Sequence, residues 1–219
     1  TKQAGLKPLD EEYILMGMAG FGSVTDLRTL RLRKSLFNNE TDIVFKQNLH
    51  LGLTDDIVYP ADPMDMAAQV QELTEDLIGH VMLRARDIGY SNNLVYMGGV
   101  ALNCSANRIL GEYFDNIWIM PNPSDAGSSL GAAALVHGGR INWTSAFLGH
   151  DIPGDYPVDN IIDELLTRKI VGVASGRAEF GPRALGNRSL LADPRGGTIK
   201  ETVNEIKRRQ KFRPFAPVI

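Results

Sequence analysis

The clearest periodicity along the chain lies between residues 62 and 89. Met66, Val70, Leu73, Leu77, Val81 and Met82 recur at three- and four-residue spacing, the apolar stripe of an amphipathic helix. Asp62-Pro63 reads as a cap followed by a first-turn proline, and Gly89 stops the run. Leu94–Met97 then predicts a short buried strand ending at Gly98-Gly99, followed by a helix over about Ala101–Tyr113. Ile117–Met120 predicts a second strand, closed by Pro121-Asn122-Pro123, and a third helix runs from near Asp125 to Gly138-Gly139. Further on, a helix is expected at about Asn160–Thr167, a strand at Ile170–Ala174 and a helix near Thr198–Arg209, separated by a basic, glycine-containing loop. This alternation belongs to an α/β layered fold. Upstream, the alternating apolar positions between Leu27 and Leu53 suggest short strands or excursions. Residues 141–158, rich in glycine and proline, mark a candidate boundary between a domain 1–150 and a domain 151–219.

Composition narrows the function classes. The 219 residues are 43% apolar and 22% charged, with a net charge of −3. That balance belongs to an ordinary globular chain and argues against a nucleic-acid partner or an anionic membrane surface. No run approaches the roughly 20 apolar residues that cross a bilayer. The single cysteine, Cys104, forms no internal disulfide and no zinc framework, which predicts a reduced, cytoplasmic setting with the thiol as a small core residue. His50, His80, His137 and His150 show no ligand spacing. The chain begins at Thr1 and closes on Phe215–Ile219, which reads as a strand just beginning, so both ends are expected to be cuts.

Three blocks carry candidate chemistry. Paired glycines between strand and helix, Gly98-Gly99, allow close backbone approach to an anionic ligand, with Asn103 near enough to add a hydrogen bond. Tight packing of helix on strand is the alternative. Asp125, within Ser124-Asp125-Ala126-Gly127, is placed either to hold a metal or to cap a helix. The strongest block runs Gly176-Arg177-Ala178-Glu179-Phe180-Gly181-Pro182-Arg183-Ala184-Leu185-Gly186-Asn187-Arg188-Ser189, followed by Asp193-Pro194-Arg195. Four arginines among glycines make a cradle for phosphate or carboxylate. Arg183 and Arg188 stand out because they sit among glycine, proline and leucine. Lys207, Arg208, Arg209, Lys211 and Arg213 form a second basic cluster, for which a solvated face is the plain alternative.

Taken in order, these blocks resemble the NodU/CmcH carbamoyltransferases. The resemblance includes Gly98–Cys104, Ser124–Gly127, Gly176–Ser189 and Phe212-Arg213-Pro214-Phe215-Ala216-Pro217, and it extends to the opening Leu9–Tyr13 with Met16-Gly17. It runs from about Leu6 to Ile219, although Asp26–Pro60 is not specific.

The family implies the second half of a Kae1-like domain, of the actin/Hsp70/sugar-kinase superfamily, followed by the start of a YrdC-like α/β domain. It implies that ATP and carbamoyl phosphate give carbamoyl-adenylate and pyrophosphate. The carbamoyl group then passes to the hydroxyl of a small-molecule acceptor beside a divalent metal, iron or a similar ion. Carried over, Arg183, Lys207 and Arg213 would hold carbamoyl phosphate. Gly98, Gly99, Asn103 and Gly127 would serve the adenylate, and Asp125 the metal. Neither nucleic acid nor membrane is an expected partner, and a homodimer is left open. Departures are Met16-Gly17-Met18-Ala19-Gly20-Phe21-Gly22, which lacks the family's usual proline and tyrosine, and Gln210 in place of a common glutamate. The family's pair of metal-binding histidines is expected upstream of Thr1, so the isolated piece is expected to be inactive. The rival readings are another actin-like ATPase such as a sugar kinase, or a non-catalytic nucleotide-binding protein.

Overall fold

In a computed structural model, residues 1–38, 43–49 and 62–218 are described, without the side chains of residues 26–28. They form a mixed α/β structure with three two-stranded sheets. The chain divides into two compact units, residues 1–95 with 103–118 and residues 96–102 with 119–219.

The first unit is built around α3 (Pro63–Ile88). As the sequence predicts, Asp62 caps it, its Oδ1 accepting from the Met64 N–H at 2.8 Å, and Gly89 ends it. Its inward face carries Met66, Leu73, Ile78 and Met82, whereas Val81 is exposed, so the buried stripe passes through Ile78 in its place. α1 (Glu12–Met18) packs on α3 through buried Ile14, Leu15 and Met18.

α2 (Asp26–Leu36) occupies part of the region expected to hold short strands. Its Leu32, with Phe37 just beyond, clusters on Leu73 of α3, flanked by Leu36, Val70 and Leu77. This spacing suits a helix packed on a helix, which overrides the weak alternation. Residues 39–42 and 50–53, which share that expectation, lie outside the described residues.

β1 (Asn93–Tyr96) and β2 (Asn116–Ile119) fall within a residue of their expected places and form one sheet, but β1 is not the buried strand expected, since Val95 is 65% exposed. The helix expected over 101–113 is broken into a 3-10 turn Gly99–Leu102, the short α4 (Cys104–Asn107) and a 3-10 turn Arg108–Glu112. Asn103 causes the break, because its Oδ1 accepts from the Ala106 N–H and starts a new helix there. Ala106 and Leu110 are fully buried, while Cys104 is exposed, contrary to its expected core role. The thiol sits at the first position of α4, and the inward face passes through Ala106.

In the second unit, α5 (Ser128–His137) follows a 3-10 turn at Asp125–Gly127, and Gly138 closes it in the left-handed region. β3 (Asp151–Ile152) pairs antiparallel with β5 (Gly176–Arg177). α6 (Val158–Arg168) buries Ile161 and packs on β4 (Ile170–Ala174). β4 pairs antiparallel with β6 (Arg188–Ala192), from Ile170 opposite Ala192 to Ala174 opposite Arg188. β5 and β6 therefore lie inside the stretch expected to be a basic loop. α7 (Ile199–Ile206) follows, and residues 215–218 form no strand. No described helix is long and apolar enough to cross a membrane.

Candidate functional site

β4 and β6 are joined by residues 175–187, a long excursion between neighbouring strands and the kind of loop that carries function. Glu179 folds it. One oxygen of its carboxylate, Oε1, accepts from the backbone N–H groups of Leu185, Asn187 and Arg188 at 2.8, 2.9 and 3.1 Å. Burial alone would raise the Glu179 carboxyl, but these backbone donors outweigh it and hold the group below the ordinary glutamate range.

The four arginines of the block separate into distinct roles. Arg188 donates from Nη1 to the carbonyls of Ser175 and Asn187 at 2.9 and 2.7 Å, and from Nη2 to those of His150 and Gly176 at 3.0 and 3.1 Å. Its guanidinium is committed to backbone, which corrects the expectation that it helps cradle an anion. Arg195 is likewise committed, to Asp193. Arg183 is exposed, and its described hydrogen bond is a long one, Nη2 to the Leu102 carbonyl at 3.3 Å. The exposed Arg177 side chain has no hydrogen-bond or ion-pair partner among the described residues.

That contact of Arg183 belongs to a larger convergence within the second unit, where three blocks far apart in sequence meet. Arg183 reaches the end of the 3-10 turn that starts at Gly99. The Gly98 N–H donates to the Pro123 carbonyl at 2.8 Å, tying the same turn to the segment before Asp125. Gly181, with φ +132°, lies so close to Pro121 that an added Cβ would collide with the Pro121 carbonyl oxygen. Hence Gly98, Gly99 and Arg183 are brought together with the Pro121–Gly127 loop.

The glycines of this site are glycine for different reasons. At Gly98, φ is +106°, a backbone that side chains rarely adopt. Gly99 has no such requirement, and a Cβ built there would meet nothing within 4 Å. Tight packing therefore does not explain Gly99, whose Cβ position is open. Gly127 is the opposite case, buried so that a Cβ would strike the Asn122 carbonyl oxygen. Its role in this structure is packing of the loop.

Asn103 lies in the first unit. Besides capping α4, it exchanges hydrogen bonds with Gln71, Nδ2 to Oε1 at 2.9 Å and Oδ1 from Nε2 at 3.2 Å. Gln71 also donates to Glu75, which Arg108 pairs at 2.7 Å. Asn103 is thus a half-buried member of a polar network. Asp125 is exposed at the first position of its 3-10 turn, and its side chain does not cap that turn. Among the described residues no three His, Cys, Asp or Glu side chains gather to hold a metal. The residues present therefore do not fit a metal by themselves, and Asp125 contributes one carboxylate at most.

Lys207 and Arg213 lie at the end of α7 and beyond. Lys207 is exposed, with no side-chain partner among the described residues. The segment carrying Arg213 is folded by Asn204, which is fully buried and donates from Nδ2 to the carbonyls of Lys211 and Arg213, both at 3.1 Å. Asn204 Oδ1 accepts from Arg209 Nε at 2.5 Å, and the Arg209 guanidinium lies 4.4 Å over the Phe215 ring. No described hydrogen bond or ion pair joins Lys207 or Arg213 to Arg183. The sequence singles out neither Glu179 nor Asn204. Neither has a local signal, since each acts on backbone groups up to nine residues away.

Asp193 anchors the base of β6. It is 5% exposed and accepts from Arg195 and from Lys169 Nζ, the latter at 2.9 Å. The Arg195 guanidinium and backbone N–H, then Lys169, hold its carboxyl well below the usual carboxylate range. A depressed carboxylate stabilises the fold above its unfolded pKa of about 3.9 and loses that contribution as pH falls through and below it. Thermal melts across acidic pH should therefore show the wild type losing an advantage over Asp193→Asn. An unchanged gap between the two on acidification would refute the assignment.

Residues 1–134 match the family described as carbamoyltransferase N-terminus, and residues 162–219 match the one described as carbamoyltransferase C-terminus. An uncharacterized protein of Synechocystis sp. is 33% identical over 100% of this chain and 44% of its own length. The nodulation protein NolNO of Sinorhizobium fredii is 31% identical over 95% of the chain and 36% of its own length. Nodulation protein NolO of Bradyrhizobium diazoefficiens is 36% identical over 70% of the chain and 33% of its own length. The chain spans less than half the length of these curated relatives. With both family stretches in order along it, the chain belongs to the carbamoyltransferase family.

Proposed function

We propose that this chain is part of an ATP-dependent O-carbamoyltransferase, with residues 1–150 belonging to a Kae1-like domain and 151–219 to a YrdC-like one. The observation that carries the reading is the meeting of the open Gly98-Gly99 turn with an exposed, weakly engaged Arg183. Backbone that a ligand can approach closely, beside an unneutralised guanidinium, suits a phosphorylated substrate.

Two steps make up the reaction. Carbamoyl phosphate and ATP, with one water, give carbamoyl-adenylate, pyrophosphate and inorganic phosphate. The acceptor hydroxyl then attacks the carbamoyl carbon, its proton is lost, and AMP departs with the bonding electron pair. In this scheme Arg183, with Lys207 and Arg213, neutralises carbamoyl phosphate, and Gly98 and Gly99 face the adenylate. Preorganised cations lower the cost of bringing two polyanions together. Asp125 would offer one carboxylate to a divalent metal, and the described residues supply no further set of ligands for it. The compartment this reading favours is the cytoplasm.

Pyrophosphate release by the full-length protein tests it. Release from ATP should require carbamoyl phosphate. ADP formation with a sugar and no need for carbamoyl phosphate would replace this reading with that of a sugar kinase. Gly99→Ala gives a second test. Stability should stay within about 0.5 kcal/mol because the Cβ enters open space. ATP affinity should fall measurably in calorimetry, since the methyl occupies the approach to the backbone. Unchanged affinity would remove Gly99 from the nucleotide site.

A further inference from the structure

We propose that Glu179 is a positioning residue for Arg183, setting the affinity for carbamoyl phosphate without touching it; this rests on the function proposed above. The geometry is specific. A single carboxylate oxygen gathers the N–H groups of Leu185, Asn187 and Arg188. The backbone between Glu179 and these donors is thereby closed into a loop, and Arg183 lies within it.

Two further contacts hold this loop. Gly186 donates its N–H to Ser189 Oγ at 2.9 Å, and Gly181 abuts the Pro121 carbonyl. Arg183 makes just one described hydrogen bond, a long one. Its guanidinium is therefore placed by the loop backbone and not by side-chain partners of its own. Backbone donors to an ionised carboxylate are strong, and removing the acceptor leaves three N–H groups without that partner. The loop would relax, and with it the position of Arg183. Leu185, Asn187 and Arg188 are close in sequence, so one acceptor replaces what would otherwise need several separate contacts.

A double-mutant cycle in the full-length protein tests the role, using Glu179→Gln, Glu179→Ala, Arg183→Ala and the double alanine variant. Glu179→Ala should weaken carbamoyl phosphate binding on the order of tenfold or more, as misplacement of a binding group does. Its KM for ATP should stay unchanged, and Glu179→Gln, which keeps an acceptor oxygen, should fall between wild type and alanine. The double variant should bind no more weakly than Arg183→Ala alone, because Glu179 acts through Arg183. Hydrogen exchange at Leu185, Asn187 and Arg188 should quicken in Glu179→Ala. Multiplying losses in the double variant, equal rises in both KM values, or unchanged exchange would each overturn the positioning role. A wild type that does not bind carbamoyl phosphate would overturn the functional reading, and the role would fall with it.

Discussion

Arg183→Ala is expected to weaken carbamoyl phosphate binding by roughly 10- to 100-fold while leaving the melting temperature nearly unchanged. The size follows from the loss of a hydrogen-bonded charge partner, about 1.5–3 kcal/mol, at 1.4 kcal/mol per factor of ten. The insensitivity of stability follows from exposure. Arg183 buries little and makes one described hydrogen bond, at 3.3 Å, so its removal should cost within about 0.5 kcal/mol. Arg188→Ala is the informative contrast. It removes four hydrogen bonds to backbone carbonyls at the junction of β3, β5 and β6. That variant should lose stability first, with binding following the loss of fold. Calorimetry beside thermal melts separates the two arginines. Equal affinity of wild type and Arg183→Ala would remove Arg183 from the substrate site.

Gly181→Ala should produce the largest loss of stability among changes in this loop. Two costs combine at that position. The backbone has φ +132°, which an L side chain adopts only under strain, and an added Cβ would collide with the Pro121 carbonyl oxygen. Strain of about 1–3 kcal/mol and overpacking of about 1–3 kcal/mol give a total of about 2–6 kcal/mol. Relief would come from moving residues 180–186 away from Pro121–Asn122, so carbamoyl phosphate affinity should fall as well. Gly20→Ala is the control, because Gly20 has no positive φ and open space around its Cβ position. Urea unfolding of both variants checks the difference. A Gly181→Ala protein as stable as Gly20→Ala would show that the loop does not pack against Pro121 in solution.

Much of the local structure was legible in advance, and the reasons are local. Asp62-Pro63 announces the start of α3 because the cap and the first-turn proline satisfy the helix end within a few residues. β1 and β2 were legible from short apolar runs bounded by turn residues. Where local reading failed, a longer-range partner intervened. The 101–113 helix was interrupted by Asn103, whose cap on Ala106 is reinforced by Gln71 of α3. The local pattern around α2 suggests strands because its burial as a helix depends on Leu73, some forty residues on. Cys104 has the residue type of a core position, yet the turn of α4 leaves it exposed.

The same division runs through the candidate site. The sequence by itself determined which blocks matter, because glycine pairs, clustered arginines and their order along the chain are properties of the string of residues. It also determined the family, for the same reason. Only the tertiary structure decided which arginine is available to a ligand. Arg183 and Arg188 both stand two residues after a glycine and two before a leucine in the sequence. The antiparallel register that sets Arg188 opposite Ala174 goes with a guanidinium spent on the carbonyls of His150, Ser175 and Gly176. Arg183, in the excursion between the strands, keeps its charge uncommitted. Hydrogen-bond partners are set by distance in space, and that distance is created only when β4 and β6 pair and Glu179 closes the loop between them.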